Sequence, residues 1–123
     1  MSGERDLEKL FAGLDVFQHK GVWEFVTGTQ ETVPGAVMSF REREGWTHIV
    51  EAHRSASAEQ RFVWLELTVY SDLNAVGFMA GVAKALGEAG VPCNAVAVFH
   101  HDHVFVPESM AEKAVAALAA LRT

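Results

Sequence analysis

The sequence predicts an α+β fold, an antiparallel sheet with helices packed on one face. Three observations predict it. Residues 62–107 read in order as strand, tight turn, helix, glycine turn, strand, sharp turn and strand. The strand segments alternate with a period of two, whereas the segment between them carries its apolar residues at helical spacing. The chain has 123 residues, half of them hydrophobic, enough for a real core in one compact unit or two very small, closely packed halves.

Along the chain, Leu7, Leu10, Phe11 and Leu14 form one helical face after a polar lead, with Ser2 or Asp6 placed to cap it. Residues 15–20 read as a connection. Residues 21–27 alternate, Val22, Glu24 and Val26 against Trp23, Phe25 and Thr27, and form a strand ended by Gly28. Pro34-Gly35 marks a loop. Residues 36–42 fit two templates: Val37 and Phe40 a helical turn, Met38 and Phe40 a strand. Glu44-Gly45 turns the chain into a strand over 46–50. Residues 52–60, rich in Ser and Ala, form a short helix or a linker and are the best boundary between halves.

Residues 61–70 are a strand of β-branched and aromatic residues. Val63, Leu65, Leu67 and Val69 make an apolar face for the core. Phe62, Trp64, Glu66, Thr68 and Tyr70 make a mixed face, expected to meet solvent or a partner. Ser71-Asp72 ends the strand and caps a helix expected over 73–88, with Leu73, Val76, Ala80, Ala83 and Leu86 along one side. Gly77 and Gly81 share a face of that helix, where a sheet or a small ligand can approach closely. Gly90 stops the helix. A strand follows over 91–99, then a turn at His100-His101-Asp102-His103, then the strand Val104-Phe105-Val106, ended by Pro107. Ser109-Met110-Ala111-Glu112 has the capping-box pattern and opens a helix through Leu121 whose apolar stripe is Met110, Ala114, Leu118 and Leu121. The order β-α-β-β-α is a ferredoxin-like unit without its last strand. Its open edge calls for a dimer or for docking of the N-terminal half.

The net charge of −6 argues against nucleic acid and against an anionic membrane surface. No apolar run is long enough to span a bilayer. The single cysteine, Cys93, has no intramolecular partner and reads as a small buried residue at a strand start. With no signal-like opening segment, the expectation is a soluble cytoplasmic protein.

Candidate chemistry is sparse. His101 and His103 share a strand face and suit a divalent transition metal, with a third ligand from His19, His48 or His53; the alternative is that His101 and Asp102 lock a turn. The nucleophile elbow, Cys-x-x-Cys, P-loop and Rossmann fingerprints are absent, so the chain is not expected to be an enzyme, and no cofactor is indicated. A helix N-terminus at Asp72-Leu73-Asn74 would attract a carboxylate, Asp72 would face an ammonium, and Asn94 would add an amide that both donates and accepts.

The run SDLNAVGFMAGVAKALGEAGVPCNAVAVFHHDHVFVP, with AVG, CN and HDHVFVP in that order, resembles the ACT-domain proteins. In particular it is similar to a small bacterial family built from two ACT-like halves. The likeness is strongest from Trp64 onward and weaker through GVWEFVTG and MSFREREGWTHIV, which look like a shortened first half. The resemblance implies tandem ferredoxin-like halves, a degenerate one over 1–60 and an ACT domain over 61–123. It implies a regulatory module that binds a small molecule, an amino acid first among them, commonly as a homodimer. The ligand-binding residues it implies are Ser71, Asp72, Leu73, Asn74 and Gly77 after the first strand, and Cys93, Asn94 and Ala95 at the start of the next. The family's Asp-x-Pro-Gly loop departs here to Asp72-Leu73-Asn74-Ala75, with the glycine displaced to Gly77. Two other readings stay open: an interaction module with an empty pocket, and a metal-binding protein using the His-rich turn.

Overall fold

The computed structural model describes residues 3–122. Its elements are α1 (Leu7–Ala12), β1 (Val16–Gln18), β2 (Trp23–Gly28), β3 (Met38–Arg41), β4 (Trp46–Glu51), β5 (Phe62–Leu67), α2 (Phe78–Glu88), β6 (Asn94–Ala97), β7 (Asp102–Pro107) and α3 (Ala111–Ala119). The strands make one sheet in the order β3-β4-β2-β5-β7-β6, with β1 also on β5 and every strand pair antiparallel.

β5 organises the sheet because its side chains divide cleanly. Val63, Leu65 and Leu67 are buried towards the helices, where they meet Leu10 and Leu14 from the N-terminal helical region, Phe78, Val82 and Leu86 of α2, and Ala114 and Leu118 of α3. All three helices thus lie on one face of the sheet. Phe62 and Trp64 point the other way and join Trp23, Ile49, Phe105, Met38 and Val96 in a second, smaller core. The mixed face of β5 is therefore covered by the protein's own curled sheet.

The last strand missing from the β-α-β-β-α unit comes from the N-terminal half. Val16 lies opposite Leu67 and Gln18 opposite Leu65, and Trp23 lies opposite Phe62. The five steps from Gln18 to Trp23 face only three on β5, so β1 and β2 are one strand interrupted by a wide bulge. Gly21, at φ 94°, takes the left-handed turn of that bulge. Beyond it β2 leaves β5 to pair with β4 along its whole length.

Several boundaries differ from those expected. β1 occupies part of the expected connection, because three residues are too few to show alternation and only the β5 edge makes them a strand. Asp6 caps α1, its carboxylate accepting from the Lys9 amide at 3.2 Å, while Ser2 lies outside the described residues. α2 starts at Phe78, not at Leu73, and its N-cap is Gly77 at φ 96°. Leu73 and Val76 are 64% and 85% exposed, and of residues 73–76 Ala75 alone packs against the core. Asp72 instead closes a local turn, its carboxylate accepting from the Asn74 amide at 2.8 Å. Met110, not Ser109, precedes α3, after a single 3-10 turn over Glu108–Met110, so the capping-box reading fails there. Asp102 and His103 belong to β7 rather than to the turn.

Gly81 marks a close approach. A Cβ built there would lie 2.5 Å from the tip of the Phe11 ring, which packs on Phe78 with centroids 5.5 Å apart. Alanine favours a helix interior over glycine by about 0.8–1.0 kcal/mol, but overpacking costs typically ~1–3 kcal/mol. We expect Gly81→Ala to destabilise the protein by about 1 kcal/mol in urea unfolding. In a Phe11→Ala background the same change should stabilise it. A Gly81→Ala effect of the same sign in both backgrounds would refute the contact.

Candidate functional site

The curl of the sheet brings its two outer strands to opposite sides of an open groove of about 740 Å³. Phe25, Met38, Ser39 and Phe40 line one side, and residues 93–98 line the other. No charged side chain is in this lining. A hollow of about 80 Å³ adjoins it, shared by Met38, Val96 and Val98 and bounded also by Val37, Trp64, His103 and Phe105. Because β3 and β6 are the ends of the strand order, each also has an edge without a partner strand among the described residues.

A polar cluster shares Trp64 and His103 with this hollow. Glu66 of β5 lies opposite His103 of β7 in the sheet register. His19 follows β1, held there by its amide donating to the Trp64 carbonyl at 3.0 Å. Its Nε2 is 2.9 Å from Glu66 Oε1, and the ring stacks on Trp64 at 3.5 Å between centroids. His101 Nε2 is 3.8 Å from the other Glu66 oxygen. The Trp64 indole N–H donates to His103 Nδ1 at 2.8 Å, so the neutral His103 ring carries its proton on Nε2. Single ligand atoms of His19, Glu66 and His103 all lie within 4.8 Å of one another.

The structure separates the two stretches expected to hold a ligand. Cys93, Asn94 and Ala95 line the groove, whereas Ser71, Asp72, Leu73, Asn74 and Gly77 do not. The N-terminal segment lies along the latter loop. Glu4 pairs with Ser71, its amide donating to the Tyr70 carbonyl and its carbonyl accepting from the Asp72 amide. Arg5 reaches Asp72 Oδ1 at 3.1 Å. The Asn74 amide, with Arg5, holds the Asp72 carboxyl below the usual carboxylate range. With α2 starting at Phe78, Asp72-Leu73-Asn74 is not a helix N-terminus.

Ser71 is buried and donates to Asp102 at 2.9 Å, joining the end of the β5 segment to the start of β7. Burial raises the Cys93 thiol above its usual range, so it is poorly ionised at neutral pH. Of the three histidines considered as a further ligand, His48 is committed to Ser39 and to the Gln30 carbonyl, and His53 to Ser55. His19 alone of these three joins the cluster around Glu66. The sequence did carry a signal for Glu66: it is the one carboxylate among Phe62, Trp64, Thr68 and Tyr70 on the mixed face.

A ferredoxin-like unit completed by a strand from the N-terminal half, with a groove on its helix-free face, places the chain among small α+β domains of the ferredoxin-like class. The comparisons agree. ACT-domain family models match residues 2–65 and residues 60–120. The chain belongs to the ACT-domain family. A crystal structure from Vibrio cholerae, of a protein of unknown function described as a possible transport protein, is 31% identical over 95% of this chain and 96% of that one, with a TM-score of 0.78. A crystal structure from Agrobacterium tumefaciens shares the fold at 18% identity, covering 89% of each chain, with a TM-score of 0.66. No curated protein matches the sequence. Among the described residues, no helix is long and apolar enough to cross a membrane.

Burial holds the His103 imidazolium below the usual histidine range; Glu66 opposes this, while His19 and His101 add to it. The folded pKa is thus below the unfolded value of about 6.5. The unfolded chain binds that proton more readily, so this contribution to stability is intact above pH ~6.5 and is lost as pH falls through the folded value. In chelator-treated protein the unfolding temperature should fall between pH 7 and pH 5. His103→Gln, which keeps an acceptor for Trp64, should flatten that decline; an unchanged slope would refute the assignment.

Proposed function

We propose that this protein is a regulatory small-molecule-binding module without catalytic activity of its own, and that an apolar amino acid is its ligand. It would act in the cytoplasm as a homodimer, with a degenerate ACT-like half over 1–60 and an ACT domain over 61–123, both of which border the groove. The observation that carries the reading is the groove between β3 and β6, apolar in its side chains and bordered by strand edges with backbone groups to spare. The lining has no side-chain charge to balance a charged ligand, which favours a zwitterion of zero net charge. Its carboxylate and ammonium would take the free backbone donors and acceptors of the edges, beside Asn94 and Ala95. Its side chain would lie among Phe25, Met38, Phe40 and Val98. Ser71, Asp72, Leu73, Asn74 and Gly77 enter this proposal as support for the neighbouring loop, since Arg5 and Asn74 already occupy the Asp72 carboxylate.

Magnitudes limit the affinity. Burying a leucine-sized side chain contributes about 1.5–3 kcal/mol, short of the ~4 kcal/mol that a millimolar Kd represents. Hydrogen bonds to the charged groups, worth about 1.5–3 kcal/mol each, must supply the rest.

A second reading, docking of a polypeptide strand, is favoured by the same open edges and by Phe40 at 63% exposure beside the groove. Thermal unfolding against a panel of amino acids distinguishes the two. One apolar amino acid should raise the midpoint as its concentration passes its Kd. Val98→Trp, a change at an exposed groove position, should abolish that rise while leaving the unliganded midpoint within about 2–4 °C. No rise with any amino acid at millimolar concentration would refute the sensor and leave strand docking as the reading to pursue.

A further inference from the structure

We propose that His19, Glu66 and His103 form a binding site for a divalent transition-metal ion of the zinc class. Two imidazoles and one carboxylate are a ligand set for such ions, and three protein ligands leave a coordination position for water or another small ligand. The three residues come from widely separated positions, yet their ligand atoms lie within 4.8 Å of one another. Two atoms bound tetrahedrally to one ion at ~2.1 Å stand ~3.4 Å apart, so side-chain rotations that bring the atoms together by at most about 1.4 Å close the set. His19 and Glu66 are already 2.9 Å apart.

The backbone holds all three ligands in place before any ion arrives. Glu66 and His103 are cross-strand partners in the centre of the sheet, and the His19 amide is bonded to the carbonyl of Trp64. The site is also partly open, with the His19 and Glu66 side chains 25% and 22% exposed. His101 lies just outside the set, with Nε2 3.8 Å from the second Glu66 oxygen and Nδ1 3.4 Å from the Val69 carbonyl. Phe17 meets the His19 ring edge-on at 4.8 Å and forms an apolar wall beside it.

Trp64 would report the ion. It stacks on His19 and donates to His103 Nδ1. An ion taken by His103 through Nε2 displaces the proton there, and the neutral ring then carries its proton on Nδ1. Trp64 loses its acceptor as a result. The same indole borders the small hollow beside the groove, so metal and groove ligand share one side chain. The metal site does not depend on the amino-acid reading, and either can fail alone.

The experiment uses the 123-residue, tag-free chain, stripped with EDTA and dialysed. Zinc is titrated by calorimetry while tryptophan emission is followed, and cobalt(II) is titrated by absorbance. The expected result is one ion per chain, a change in emission that is absent in Trp64→Phe, and a cobalt spectrum with a ligand-field band. His19→Ala, His103→Ala and the isosteric Glu66→Gln should each weaken binding at least about tenfold; His53→Ala should not. Circular dichroism checks that each variant is folded, and Glu66→Gln, which keeps the side-chain shape, decides the matter if a histidine variant is not. No stoichiometric uptake, or equal losses in His53→Ala and the three ligand variants, would overturn the proposal.

Discussion

The structure depends on β5 being used on both faces and along both edges. Val63, Leu65 and Leu67 are buried under the helices, while Phe62 and Trp64 face the opposite, helix-free core. β7 occupies one edge over the full length of the strand; β1 and the start of β2 divide the other. A strand in this position has little freedom of register, because a shift by one residue would exchange the apolar set for the one containing Glu66. Every element that reaches the site is placed relative to this strand.

The N-terminal half completes the C-terminal unit rather than standing beside it. α1 and the segment after it contribute Leu10 and Leu14 to the main core, and β1 supplies the strand that the β-α-β-β-α unit lacks. The bulge at Gly21 then carries the chain away from β5 into the β2-β4-β3 meander, whose far strand returns to face β6 across the groove. The groove is thus shaped by both halves, through a sheet continuous from one edge to the other. Closing the β5 edge internally also removes one template for pairing with other chains, leaving β3 and β6 as the outer strands.

Trp64 lies where the two chemical features of the concave face meet. One side of its environment is apolar, with Trp23 and Phe105 at centroid distances of 5.3 and 5.9 Å. The other is polar, with His19 stacked on the ring and His103 accepting from the indole. A large aromatic side chain with one hydrogen-bond donor suits this boundary, since the ring fills apolar space and its N–H is satisfied at the rim.

The sequence by itself determined the apolar face of β5, the order of strands and helices after it, and the stripe that buries α3, because each follows from spacing within a few residues. It also carried the ACT likeness from Trp64 onward. Tertiary structure decided the rest. β1 is a strand because the edge of β5 pairs with it, and three residues have no periodicity to read. α2 begins at Phe78, the first residue of the expected helix that is fully buried in the main core, while Leu73 and Val76 stay exposed. Glu66 meets His19 across 47 residues of sequence and His103 across the sheet. Such a cluster depends on register and curl, which are set by packing of the whole sheet, and local sequence does not encode them.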